Sequence, residues 1–242
     1  MRWVRSMWDD IRAAFSFLTI LPLGFAEGRK PGWSVAWYPL VGILIGLLLV
    51  TIHTLSPFNA SVTAFVMLLV WVIITGGLHL DGFADSCDGL LATVSVERRL
   101  DIMKDPRTGA WAVIGLVLLL LGKWLFLQNG SVAYILLAPV LGRWLMSLAV
   151  LTIPYARKQG LGSYFRDGAG WREIAIATSI ILVVIWWMNV WAVAFGVLIG
   201  VIVLIRWAMA RLGGGLTGDV YGALCEMCEF LCLLGGILWV SS

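Results

Sequence analysis

The densest set of groups able to do chemistry lies in GGLHLDGFADSCDGL, residues 76–90, where Asp81, Asp85 and Asp88 recur at i, i+4 and i+7. In a helix these positions fall within about 40° of one another. Three carboxylates stacked roughly 5–6 Å apart repel one another unless a cation or several donors neutralise them. Hard oxygen ligands in that pattern suit Mg²⁺, which takes a few carboxylates and leaves its other positions to water and phosphate. His79, two residues before Asp81, could serve as a general base or orient a ligand. A histidine at such a boundary is also commonly a hydrogen-bonded structural residue, and the bare alternative for the whole stretch is a solvated helix end with Gly-rich turns. His53, inside an apolar run, is a weaker candidate.

Two further stretches carry charge of both signs. In ERRLDIMKDPRTG, residues 97–109, Asp101 and Asp105 repeat the i, i+4 spacing among Arg98, Arg99, Lys104 and Arg107, and Pro106 should end the helix. Carboxylates interleaved with basic groups are what a site needs to hold metal and phosphate together, since Arg binds phosphate as a bidentate fork and Lys as a point charge. A mixed-charge loop is also an ordinary surface. In GGGLTGDVYGALCEMCEF, residues 213–230, glycines could let backbone N–H groups approach a phosphate, while Asp219, Glu226 and Glu229 are expected to point toward the same surface. Arg143, within APVLGRWLMS, is expensive in hydrocarbon and should meet a phosphate or a carboxylate.

The elements that must position these groups are membrane helices. Of 242 residues, 61% are hydrophobic and 13% charged, against roughly 25% charged in soluble domains, which excludes an ordinary soluble globule and a disordered chain. The net charge of +3 is too balanced to imply nucleic acid as a partner. Apolar runs at 35–55, 61–79, 110–128, 132–153, 173–188, 190–207 and 220–240 predict seven spans. The expected architecture is therefore all-α, one polytopic bundle over 35–240 preceded by an interfacial segment over 1–34, with an interfacial helix at 11–23. Asp9, Asp10 and the want of an A-x-A-like site argue against a cleaved signal.

Placing the connections on alternate sides puts 15 of the 17 basic residues on one side, leaving only Lys123 and Arg143 inside spans. The positive-inside rule then sets the N-terminus in the cytoplasm and the C-terminus outside. All 14 acidic residues are expected on or next to the same side. Acids contribute little to topology, so a polar active face there is the simplest reason. Cys87, Cys225, Cys228 and Cys232 are expected chiefly to pack helices, with a metal or redox role as the alternative.

Seven blocks of the chain, in order, resemble the adenosylcobinamide-GDP ribazoletransferase (cobalamin synthase) family. They are FLTILPLG, WYPLVGILIG, TGGLHLDGFADSCDGL, RRLDIMKDPRTGAWAV, APVLGRW, PYARKQGLG and GGLTGDVYGALCE. The resemblance implies the last assembly step of coenzyme B12, in which adenosylcobinamide-GDP joins α-ribazole or its 5′-phosphate and GMP is released. It also implies Mg²⁺ dependence and a place in the inner membrane of a bacterial or archaeal cell, in the lipid bilayer, with other corrinoid-assembly enzymes as candidate partners. Laid on that reaction, Asp81, Asp85 and Asp88 would bind Mg²⁺ with help from Asp101 or Asp105. Lys104, Arg107 and Arg143 would contact phosphate oxygens, an Asp (Asp81 or Asp85) or His79 would take the hydroxyl proton, and Asp219 and Glu226 would complete the polar face. A CDP-alcohol phosphotransferase, a cation transporter and a membrane scaffold are the alternatives; the first departs from the DG motif after Asp81 and Gly82, and the second lacks the expected repeat.

Overall fold

The computed structural model describes residues 2–157, 160 and 164–240. Its helices are α1 (Arg2–Leu18), α2 (Tyr38–Leu55), α3 (Ala60–Thr75), α4 (Leu78–Leu91), α5 (Val96–Ile102), α6 (Ala110–Asn129), α7 (Val132–Thr152), α8 (Trp171–Met188), α9 (Trp191–Arg211) and α10 (Gly218–Val240), with a 3₁₀ turn at Pro31–Trp37 leading into α2. No strand forms among the described residues, as a chain in hydrocarbon requires when each segment must satisfy its own backbone. Six helical segments are long and apolar enough to cross a bilayer: Pro31–Leu55, Ala110–Asn129, Val132–Thr152, Trp171–Met188, Trp191–Arg211 and Gly218–Trp239. Leu118, Val183, Trp187, Phe195 and Val203 point outward from these helices, where lipid is the solvent that covers them. The chain is a multi-pass helical membrane bundle.

The bundle is built around α7, whose side chains from Tyr134 to Val150 are largely buried. Small residues let its neighbours approach. A Cβ on Gly42 of α2 would lie 2.5 Å from the Pro139 carbonyl oxygen, and one on Gly142 of α7 would lie 2.8 Å from the Cys225 sulfur of α10. Close backbone approach is how helices gain packing energy in lipid, where no hydrophobic effect drives them together. Cys225, Cys228 and Cys232 are free and buried in this contact region. The predicted interfacial helix starts earlier than 11–23, running over Arg2–Leu18; Ala14 and Leu18 are buried and Trp8 is exposed.

The second predicted span, 61–79, is bent near its end. Helix α3 starts at the Asn59 cap, whose side chain accepts from Val62 N at 3.0 Å, and stops at Thr75. Gly76 (φ 61°) and Gly77 (φ 68°) then turn the chain, a left-handed pair that costs glycine little and other residues about 1 kcal/mol or more each. Helix α4 leaves at 91° to α3. Together the bent pair is long and apolar enough for a seventh span, broken or re-entrant, and α4, beyond the bend, carries His79 and the three aspartates.

Candidate active site

Helix α4 is pressed against the start of α10 by two glycines. A Cβ on Gly82 would sit 2.7 Å from the Asp219 carbonyl oxygen, and one on Gly222 would sit 3.3 Å from the His79 Cα. This crossing brings Asp219 to the aspartates of α4. The position of Asp219 is fixed from another direction too. Residues 154–156 pair with the loop before α10, Ala156 N donating to Leu216 O at 2.8 Å and Leu216 N to Pro154 O at 2.9 Å. The pairing delivers Arg157 to Asp219, 3.0 Å away.

The result is an anionic cluster short of counter-charge. Partial burial and the charges of Asp219, Asp81 and Asp88 push the Asp85 carboxyl up to about 6, with Arg157 pulling the other way. Among the described residues no three His, Cys, Asp or Glu side chains form a ready-made metal-ligand set. The donor set nevertheless fits a hard cation of the Mg²⁺ kind, which needs one or two carboxylates and takes its other ligands from water and phosphate.

The other candidates fall in unlike places. Asp88 accepts from Gly109 N at 2.7 Å and Ala112 N at 2.9 Å, so it caps α6 from a different helix. Asp105 is tied to Arg107 at 2.6 and 2.9 Å, Asp101 and Lys104 are exposed, and neither Asp101 nor Asp105 is among the carboxylates whose charge reaches Asp85. The turn that bears Lys104 and Arg107 is still held at the rim of the cluster, since Asp88 binds Gly109 and Arg157 Nη2 approaches the Met103 carbonyl at 3.4 Å.

Arg143 and Glu226 are corrections. Of the two partners expected for Arg143, the carboxylate is the one it meets: fully buried, it pairs with Glu229 of α10. Glu226 pairs with Lys123 of α6 at 2.5 Å, Lys123 also reaches Glu229, and its ammonium stands 4.4 Å from the centre of the Trp71 ring. These four charges join α6, α7 and α10 inside the bundle, and Arg143 keeps Nε and Nη2 without a hydrogen-bond partner.

Beside the acid cluster opens a cavity of about 280 Å³ lined by His79, Asp81, Arg157, Asp219 and Tyr221 together with apolar side chains. His79 is 2% exposed and neither of its ring nitrogens has a hydrogen-bond partner. Arg157 and Tyr221 lay inside the PYARKQGLG and GGLTGDVYGALCE blocks, yet neither stood out as a site residue, because nothing in a lone Arg or Tyr shows what it will face. Lys158, Gln159, Leu161 and Gly162 of the former block lie outside the described residues.

A family model described as cobalamin-5-phosphate synthase matches residues 10–237. The chain belongs to the cobalamin-5-phosphate synthase family. It is 41% identical over 92% of its length to the adenosylcobinamide-GDP ribazoletransferase of Pseudomonas putida (strain W619), of which 96% is covered. It is 39% identical over 95% of its length to that of Desulforamulus reducens (98% covered) and 36% over 96% to that of Desulfitobacterium hafniense (96% covered). No solved structure matches the chain. The family match spans the crossing of α4 with α10, the Arg157 segment and the cavity, and it replaces the phosphotransferase, transporter and scaffold readings.

Proposed function

We propose that the protein transfers the cobinamide-phosphate moiety of adenosylcobinamide-GDP to α-ribazole or its 5′-phosphate, forming adenosylcobalamin or its phosphate and releasing GMP. The observation that supports this most is the convergence of Asp81, Asp85 and Asp219 beside a ligand-sized cavity, in a chain of a family whose relatives carry that activity in their names. A ribose hydroxyl of the acceptor attacks the cobinamide-side phosphorus. The P–O bond to the bridging oxygen breaks, and GMP leaves with that oxygen and its charge.

Such a transfer needs positioning and charge neutralisation more than covalent help. Asp81, Asp85 and Asp219 would hold Mg²⁺. When bound it would neutralise the diphosphate and the oxygen of the leaving GMP. Arg157, already beside Asp219, supplies a guanidinium to a phosphate oxygen. Lys104 and Arg107, exposed on the tethered turn, face the outer part of the diphosphate. His79, with an unoccupied ring nitrogen, takes the proton of the attacking hydroxyl.

The charge distribution supports a cytoplasmic N-terminus and an active face on the cytoplasmic side of the inner membrane, since the basic residues outside the spans gather on the side that carries α4. The test is GMP release by purified, reconstituted protein given adenosylcobinamide-GDP and α-ribazole, with and without Mg²⁺. Asp85→Asn should lower the rate by roughly 10²–10³-fold, the range seen when one preorganised electrostatic group is removed. Near-normal release by that variant, or turnover indifferent to Mg²⁺, would overturn the assignment.

A further inference from the structure

The cavity beside the acid cluster has two unlike sides. The side formed by α4 and α10 presents His79 and Tyr221, both nearly inaccessible, and the Tyr221 hydroxyl, like both nitrogens of His79, has no hydrogen-bond partner. The opposite side is mostly carbon: Phe17 from α1, Met146 and Val150 from α7, and Phe165 from the segment before α8, with Tyr38 of α2, whose buried hydroxyl also has no partner, beside the two phenylalanines. The rings of Phe17 and Phe165 lie 4.1 Å apart, centre to centre. Buried polar groups almost always have partners, so unpartnered ones on residues that line a cavity mark the place of a ligand's own donors and acceptors.

We propose that this cavity seats the acceptor nucleoside, with its flat alkylated base on the Phe17–Phe165 side and its sugar hydroxyls at His79 and Tyr221. The inference deepens the function proposed above and rests on it. Size decides first: a space of about 280 Å³ is on the scale of a small-molecule pocket and cannot take a corrin ring, so only a nucleoside-sized part of either substrate enters. Chemistry decides next. The base of α-ribazole, a dimethylbenzimidazole, has no ring N–H and carries two methyl groups, which suits a wall of Phe, Met and Val. Guanine would bring several N–H donors to that wall, where Tyr38 offers a single hydroxyl, and leave most of them unpaired, at the cost any buried donor incurs. Direction follows from the lining, because Asp81 and Asp219 border the same cavity. A hydroxyl held at His79 therefore faces the acid cluster where phosphorus must arrive.

The experiment is calorimetric binding of α-ribazole, GMP and adenosylcobinamide-GDP to the full chain purified in detergent, with KM values for both substrates. Met146→Trp, which fills the carbon side, should weaken α-ribazole binding by at least about tenfold and raise its KM in step, leaving adenosylcobinamide-GDP affinity within about twofold. Tyr221→Phe removes one hydroxyl and keeps the ring, and should weaken α-ribazole by about 5–20-fold; it decides the matter if the tryptophan variant does not fold. Competition by GMP for the α-ribazole site, or loss of GMP or adenosylcobinamide-GDP binding in Met146→Trp, would place guanosine in the cavity and overturn the inference. So would α-ribazole binding unchanged in both variants. Wild-type protein that binds neither substrate would instead remove the function on which the inference stands.

Discussion

Single charges in this chain divide into those that face a reaction and those that hold helices. Asp85 is in the first group, crowded by other carboxylates, so removing its charge should relieve repulsion. Asp85→Asn is expected to unfold at an equal or slightly higher temperature than wild type while losing activity, a separation that differential scanning fluorimetry beside the GMP assay would show. Lys123 is in the second. Lys123→Met leaves Glu226 and Glu229 with one cation, Arg143, between them, and breaking a buried pair in this way costs about 3–5 kcal/mol. Adding Glu226→Gln should restore part of that loss. A Lys123→Met protein as stable as wild type would contradict the ion network. The sequence showed that Arg143 must have an anionic partner but not which, because Glu229 lies 86 residues away and a pairing across helices leaves no mark in either segment alone. Asp88 illustrates the converse: its spacing placed it with Asp81 and Asp85, while its oxygens serve the first turn of α6.

Among elements, the bend between α3 and α4 and the crossing of α4 with α10 decide whether the site exists. Gly82→Val sets two methyl groups where the Asp219 carbonyl stands. Overpacking of this kind costs about 1–3 kcal/mol, and the displaced α4 should lose Mg²⁺-dependent turnover even where the protein still purifies as a folded species. Gly76→Val strains a left-handed position and should lower stability by about 1–2 kcal/mol, read as a lower unfolding temperature. The spans were legible because hydrocarbon demands about 20 apolar residues in a row, and the boundaries of α6 and α7 fall close to where hydropathy put them. The bend was not, even though Gly-Gly is a turn signal. Leu78 and Leu80 continue the apolar run past it, and hydropathy measures the solvent a segment prefers, not its direction.

For the whole molecule, the uncharged connections and the charged ones must lie on opposite sides of the bilayer if α3 is a crossing. Reporter fusions test this: a phosphatase that works only outside the inner membrane should be active after residue 240 and inactive at the N-terminus, and equal activity at both ends would mean an even number of crossings. Composition predicted a membrane protein, and the resemblance in seven ordered blocks predicted the family. Neither indicated a cavity, which arises from six separate stretches of chain meeting.

The shortness of α3 has a consequence of its own. Sixteen residues span about 24 Å, some 6 Å less than a hydrocarbon core of about 30 Å. If α3 alone is the crossing and Asn59 is level with one row of headgroups, α4 lies below the plane of the opposite phosphates, and the bilayer must thin or dimple around it. On that geometry the reaction floor is sunk below the phosphates like a drain, within reach of both water and lipid.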